Sequence, residues 1–165
     1  MLGRPHCSED EFGIEGLKRI LNLLDKYGIK GTCYLPGHTA LHHPREMREI
    51  AERGHEIGSQ GMYHQPKEVR LLGTDTTRDE KRGYLEQQIE AIEKATGVRP
   101  VGFRSPIGDY GPYMPQLLLE EGYLYDSSLQ GSDFVPYRLQ VGASYQLDEP
   151  YDIDWSTPSK MVEIP

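Results

Sequence analysis

LLDKYGIKGTCYLPGHTALHHPREMREIAERGHEIGSQGMYH, residues 23–64, carries the pattern that decides the fold. Its first residues complete an apolar stripe of Ile14, Leu17, Ile20, Leu21, Leu24 and Tyr27. The steps of three and four predict an amphipathic helix over 12–27, stopped by Gly28. The run from Ile29, through Thr32, Tyr34 and Leu35 to Pro36 and Gly37, predicts a short buried strand. Pro44 is preset for a first helical turn, and Met47, Ile50 and Ala51 carry that second helix to Gly54. HEIGS, His55 to Ser59, predicts the next strand.

The same alternation continues downstream. Thr77 and Glu80 have capping-box spacing, Tyr84, Leu85, Ile89 and Ile92 line one face, and Gly97 ends a third helix that Gly83 weakens slightly. PVGFR then predicts a strand, PQLLLEE a short helix opened by Pro112 and Pro115, and YLYDS a further strand. From 127 to 160 no periodicity is sustained, which reads as a long connection holding at most a short hairpin, and MVEI at 161–164 predicts a fifth strand. Helix and strand in strict turn imply parallel strands joined by right-handed crossovers, hence an α/β layer or barrel. The 165 residues suit one domain, 1–165, but are short for a closed barrel of roughly 250 residues.

Composition narrows the function classes. Eighteen Lys plus Arg against 26 Asp plus Glu give a net charge of -8, which argues against nucleic acid and anionic membrane as partners. No stretch approaches the roughly 20 apolar residues of a membrane span, and MLGRPHCSEDEFG holds no apolar run for a signal peptide, so a cytoplasmic location is expected. Cys7 and Cys33 lack CxxC spacing and read as two free thiols.

Ligands of parallel α/β folds bind beyond the C-terminal ends of the strands. There the sequence sets His38, His42 and His43 after the first strand, Gln60 and His64 after the second, Arg104 to Tyr110 after the third, and Asp126-Ser127-Ser128 after the fourth. Imidazoles, an arginine and carboxylates on one rim suit metal or acid–base chemistry. Blander roles stand beside these. His55 reads as a packed strand residue, His64 as a surface loop residue, Arg104 as half of a structural ion pair with Asp126 or Asp109, and Asp126 as the cap of its own turn. His42 and His43 read as solvated, and Glu56, Glu86, Glu90 and Glu93 as solvated faces.

GHEIGSQGMYH, then GFRSP about forty residues on, then LYDSSL, together with LLDKYGIKGTCYLPGHTA and PYRL…VEIP, resemble the polysaccharide deacetylase family, the NodB-homology or carbohydrate esterase four enzymes. The likeness is to its peptidoglycan-deacetylase-like and allantoinase-like branch and covers nearly the whole chain. It implies an incomplete (β/α) barrel and a hydrolase of linear carbon–nitrogen amide bonds. The substrate class is an N-acetylated carbohydrate or a small amide or ureide, and the cofactor a divalent metal, zinc first, held by one Asp and the two His of an H-x-x-x-H motif. By the resemblance His64 matches the second metal histidine, and Gln60 stands where the first belongs. A carboxamide oxygen beside imidazole is a poor zinc ligand.

Arg104 matches the arginine that braces the catalytic carboxylate, and Asp126 the acidic position of the next motif. Pro106, Ile107 and Gly108 match a groove-forming turn in which the Ile107 N–H faces the oxyanion. His38 is expected in a loop at the site face, in a substrate or auxiliary role. The family's Thr-Phe-Asp-Asp-like strand and its late histidine motif fall outside the sequence, so a chain truncated at both ends is expected. Two functions follow: a deacetylase-type hydrolase, or a non-catalytic homologue that keeps a carbohydrate- or partner-binding cleft. Exposed strand edges favour a homo-oligomer.

Overall fold

The computed structural model describes residues 9–64, 77–106, 108, 113–131, 134–140 and 158–165. In chain order these form α1 (Glu9–Tyr27), β1 (Thr32–Leu35), α2 (Gly37–His42), α3 (Pro44–Glu52), β2 (Glu56–Ser59), α4 (Arg78–Thr96), β3 (Gly102–Phe103), α5 (Met114–Glu120), β4 (Tyr125–Asp126), β5 (Tyr137–Gln140) and β6 (Pro158–Glu163). The strands join in one sheet of order β1-β2-β3-β4-β6-β5. Every pair is parallel except β5 with β6. The mostly parallel sheet with crossover helices is the α/β architecture expected.

Local chemistry explains the element ends. Thr77 caps α4: its side chain accepts from the Glu80 N–H, and the Glu80 carboxylate accepts from the Thr77 N–H at 2.8 Å. Gly97 closes the helix at φ 78, a left-handed position that glycine takes without a Cβ clash. Pro44 opens α3 from its first turn.

Alternation along the strands sorts two faces. Leu35 and Ile57 pack with Leu21 of α1, Met47 and Ile50 of α3 and Ile92 of α4. Phe103 and Met161 pack with Leu85 and Ile89 of α4, Leu117 and Leu118 of α5, and Tyr123. Each such side chain, fully buried, contributes about 2 kcal/mol of transfer free energy. On the opposite face the Tyr34 ring lies over Gly58 and the Tyr125 ring over Gly102, where a Cβ would sit 2.1 Å from the tyrosine Cζ. Glu56 accepts there from the Thr32 hydroxyl at 2.7 Å and the Tyr125 hydroxyl at 3.0 Å.

Three expectations are corrected. PGHTALHH is not a plain loop: Gly37–His42 is the helix α2, docked on α4 with Ala40 fully buried. His38 therefore stands on a helix. Within the 127–160 connection Tyr137–Gln140 forms β5, antiparallel to β6, so the described residues hold six strands where five were expected. Finally, β6 begins at Pro158, before MVEI.

Candidate functional site

The strand ends are stitched into one rim because the parallel ladder runs on past each strand. Gln60 N–H donates to Leu35 O at 3.0 Å, Arg104 N–H to Ser59 O at 2.9 Å, Ser127 N–H to Phe103 O at 2.9 Å and Ile164 N–H to Asp126 O at 2.7 Å. Gly37 N–H reaches Gly61 O at 3.0 Å and His38 N–H reaches Met62 O at 2.7 Å, which ties α2 to the chain leaving β2. His38, Gln60, Arg104 and Asp126 thus sit at the same end of one sheet.

The rim's polar interior is built by two hydroxyls and two carboxylates. Asp126 is fully buried, and its carboxylate accepts from the Ser128 N–H at 2.8 Å and the Ser128 hydroxyl at 2.7 Å. The Ser128 oxygen in turn accepts from the Ser105 N–H at 2.7 Å. The exposed Arg104 guanidinium donates to the Ser127 hydroxyl at 2.9 Å. These bonds lock the loop after β3 to the loop after β4. Gly108, at φ 71, closes the turn by donating to Ser105 O at 3.3 Å, and half-buried Pro106 lies inside it. Ile107 lies outside the described residues, as do Asp109 and Tyr110. Asp126 thus takes the turn-capping role raised beside its catalytic one.

Glu163 was not singled out in the sequence. It is fully buried, stands opposite Asp126 in the β4–β6 register, and accepts the Leu129 N–H at 2.8 Å. Its signal is an acidic residue two positions after buried Met161, on the inward parity of a strand. Burial first, then the nearby charges of Glu163 and Asp126, push the Tyr137 hydroxyl upward. At the centre of the sheet the Ser59 hydroxyl meets the Tyr123 hydroxyl at 2.8 Å. His55 is packed, with Nδ1 accepting from the Gly31 N–H at 3.3 Å. Cys33 is half-buried, and burial raises its thiol. Cys7 lies outside the described residues.

Residues 10–125 match the polysaccharide deacetylase family. The chain belongs to that family. Peptidoglycan deacetylase of Helicobacter pylori is 32% identical over 161 residues, which are 93% of this chain and 53% of that protein. A solved Mycobacterium smegmatis structure, assigned as a polysaccharide deacetylase, is 40% identical with a TM-score of 0.71 over 90% of this chain and 44% of its own. A carbohydrate esterase 4 family pseudoenzyme from Bacillus anthracis is 26% identical with a TM-score of 0.60, over 67% of this chain and 37% of its own. This polysaccharide deacetylase family chain therefore spans about half the length, or less, of these relatives.

The divalent metal that the resemblance implies does not fit the described residues. Gln60 offers a carboxamide where an imidazole is needed, and His64 is exposed, at φ 56 in the left-handed region. Among the described residues no three His, Cys, Asp or Glu side chains are grouped to hold an ion. No described helix is long and apolar enough to cross a membrane.

Proposed function

We propose that residues 1–165 act as one unit of a deacetylase-type amide hydrolase and hold its N-acetylated carbohydrate at the strand-end rim. The observation that carries this reading is the continuous rim across β1 to β4, in a chain of the polysaccharide deacetylase family, with Arg104 and the Ser105–Gly108 turn beside Asp126. Hydrolysis adds water to the acyl carbon, places negative charge on the acyl oxygen, and releases the amine with a proton. Preorganised N–H donors and a guanidinium oppose that charge most strongly where water is excluded. The ends of the turn from Ser105 to Gly108 are held, the Ser105 N–H by the Ser128 hydroxyl and the Gly108 N–H by Ser105 O. Pro106 has no N–H, so the Ile107 N–H that the resemblance implies is the donor this reading assigns to the developing charge. Arg104 acts as a positioning residue across the loop after β4, and His38 as a contact for the sugar at the edge of the rim.

The test is acetate release from N-acetylated glucosamine oligomers. Release should fall about 100-fold in Arg104→Ala, in line with the cost of a misplaced reacting group. A second reading is favoured by Gln60 and by the Asp126 carboxylate's commitment to Ser128: a non-catalytic cleft that binds the same carbohydrate. Under it the oligomer binds, Arg104→Ala weakens binding, and no acetate appears, even in Gln60→His.

A further inference from the structure

Helix α2 places two imidazoles side by side at the edge of the rim. We propose that His38 and His42 form a two-imidazole site for a divalent transition ion, separate from the Gln60–His64 position. The two are four residues apart on one helix, so they share a face, the spacing by which helical zinc motifs present paired histidines. Their ring centroids are 4.2 Å apart with an interplanar angle of 46°. Two nitrogens each about 2.0 Å from one ion lie at most about 4 Å apart, so a small rotation of either ring brings this pair into reach.

The scaffold is fixed. Gly37 and His38 are bonded to Gly61 and Met62, Ala40 is fully buried, and His38 rests 5.9 Å from the Tyr63 ring. Both histidines are exposed, so an ion enters without rearrangement of the core. Among the described residues no third His, Cys, Asp or Glu completes a closed cage. The site is therefore an open chelate whose remaining positions water fills. Imidazole pairs suit Cu²⁺, Ni²⁺ and Zn²⁺ and discriminate against Mg²⁺ and Ca²⁺, which prefer oxygen. This assignment stands whether or not the chain releases acetate.

The test is calorimetric titration of the metal-free full chain with Cu²⁺ and with Ni²⁺, in a His6→Ala, Cys7→Ala background that removes amino-terminal donors. One saturable ion is expected, tighter for Cu²⁺ than for Ni²⁺, with Mg²⁺ silent. His38→Ala and His42→Ala should each weaken Cu²⁺ about tenfold or more through loss of one of two ligand bonds, while His64→Ala leaves it unchanged. His42→Gln keeps side-chain length and helix propensity and should lose binding equally. Substoichiometric Cu²⁺ should broaden the ring resonances of both His38 and His42. Absence of saturable binding, wild-type affinity in the His38 or His42 variants, or loss in His64→Ala would each overturn the assignment.

Discussion

Asp126 shows how a strand-end carboxylate is tied into the loop that follows it. Fully buried, it has two acceptor bonds from Ser128, and through that hydroxyl it holds the Ser105 N–H. Asp126→Ala should lower unfolding free energy by about 3 kcal/mol, because it strands buried donors as well as deleting charge-assisted bonds. Asp126→Asn keeps one acceptor and should cost less; urea denaturation of the two variants gives the order. Tyr123 makes a prediction in pH. Burial holds its hydroxyl above the ordinary tyrosine value, with the Ser59 bond acting the other way. The folded state thus keeps the phenol neutral where the unfolded state ionises. The stability this confers is complete below about pH 10 and is lost as pH rises beyond it. Tyr123→Phe should cost about 1 kcal/mol near neutral pH and flatten the alkaline fall, as urea midpoints at about pH 8 and about pH 11 will show. Of these residues, the strand-end position of Asp126 was legible in LYDSSL, but its partners were not, since Ser128 and Ser105 meet only when β3 and β4 pair.

Elements with an apolar period, a cap or an apolar run bounded by Gly and Pro were readable, and α2 and β5 were not. The Thr77–Glu80 pair and Gly97 bound α4 where the sequence places them. Thr77→Ala should destabilise the protein by about 1 kcal/mol, measured by thermal or urea unfolding. The Glu80 carboxyl is held below its ordinary range by its bonds to Thr77, so what it adds is present above the normal glutamate pKa and fades as pH falls through the lowered one. Helix α2 escaped notice because six residues carry less than two turns of pattern, and its stability comes from contact with α4 instead of from propensity. Gly37 allows that contact: a Cβ there would lie 2.4 Å from Met62 Sδ and 3.0 Å from the Gln88 Cα. Gly37→Ala should cost about 1–3 kcal/mol by overpacking, and restoration of stability in a Gly37→Ala, Met62→Ala pair would show that the thioether is the obstacle. Strand β5 was hidden for a related reason. Its four residues, YRLQ, become a strand through pairing with β6, which no local pattern announces.

At the scale of the molecule, topology followed from the order of elements, since alternating helices and strands leave few ways to build a parallel sheet. That order also dictated that candidate residues far apart in sequence share one end of the sheet. What the sequence could not dictate is how each carboxylate and hydroxyl is spent within the rim. The buried Glu163 opposite Asp126 came only with the β4–β6 register. Hydrolysis of an N-acetyl amide on carbohydrate is the function proposed for this rim. It is checked by the acetate that the full chain releases from N-acetylated glucosamine oligomers, compared with Arg104→Ala. Measurable release that drops about 100-fold in the variant is expected. An oligomer that binds at the rim while wild type and Gln60→His alike release no acetate would contradict it.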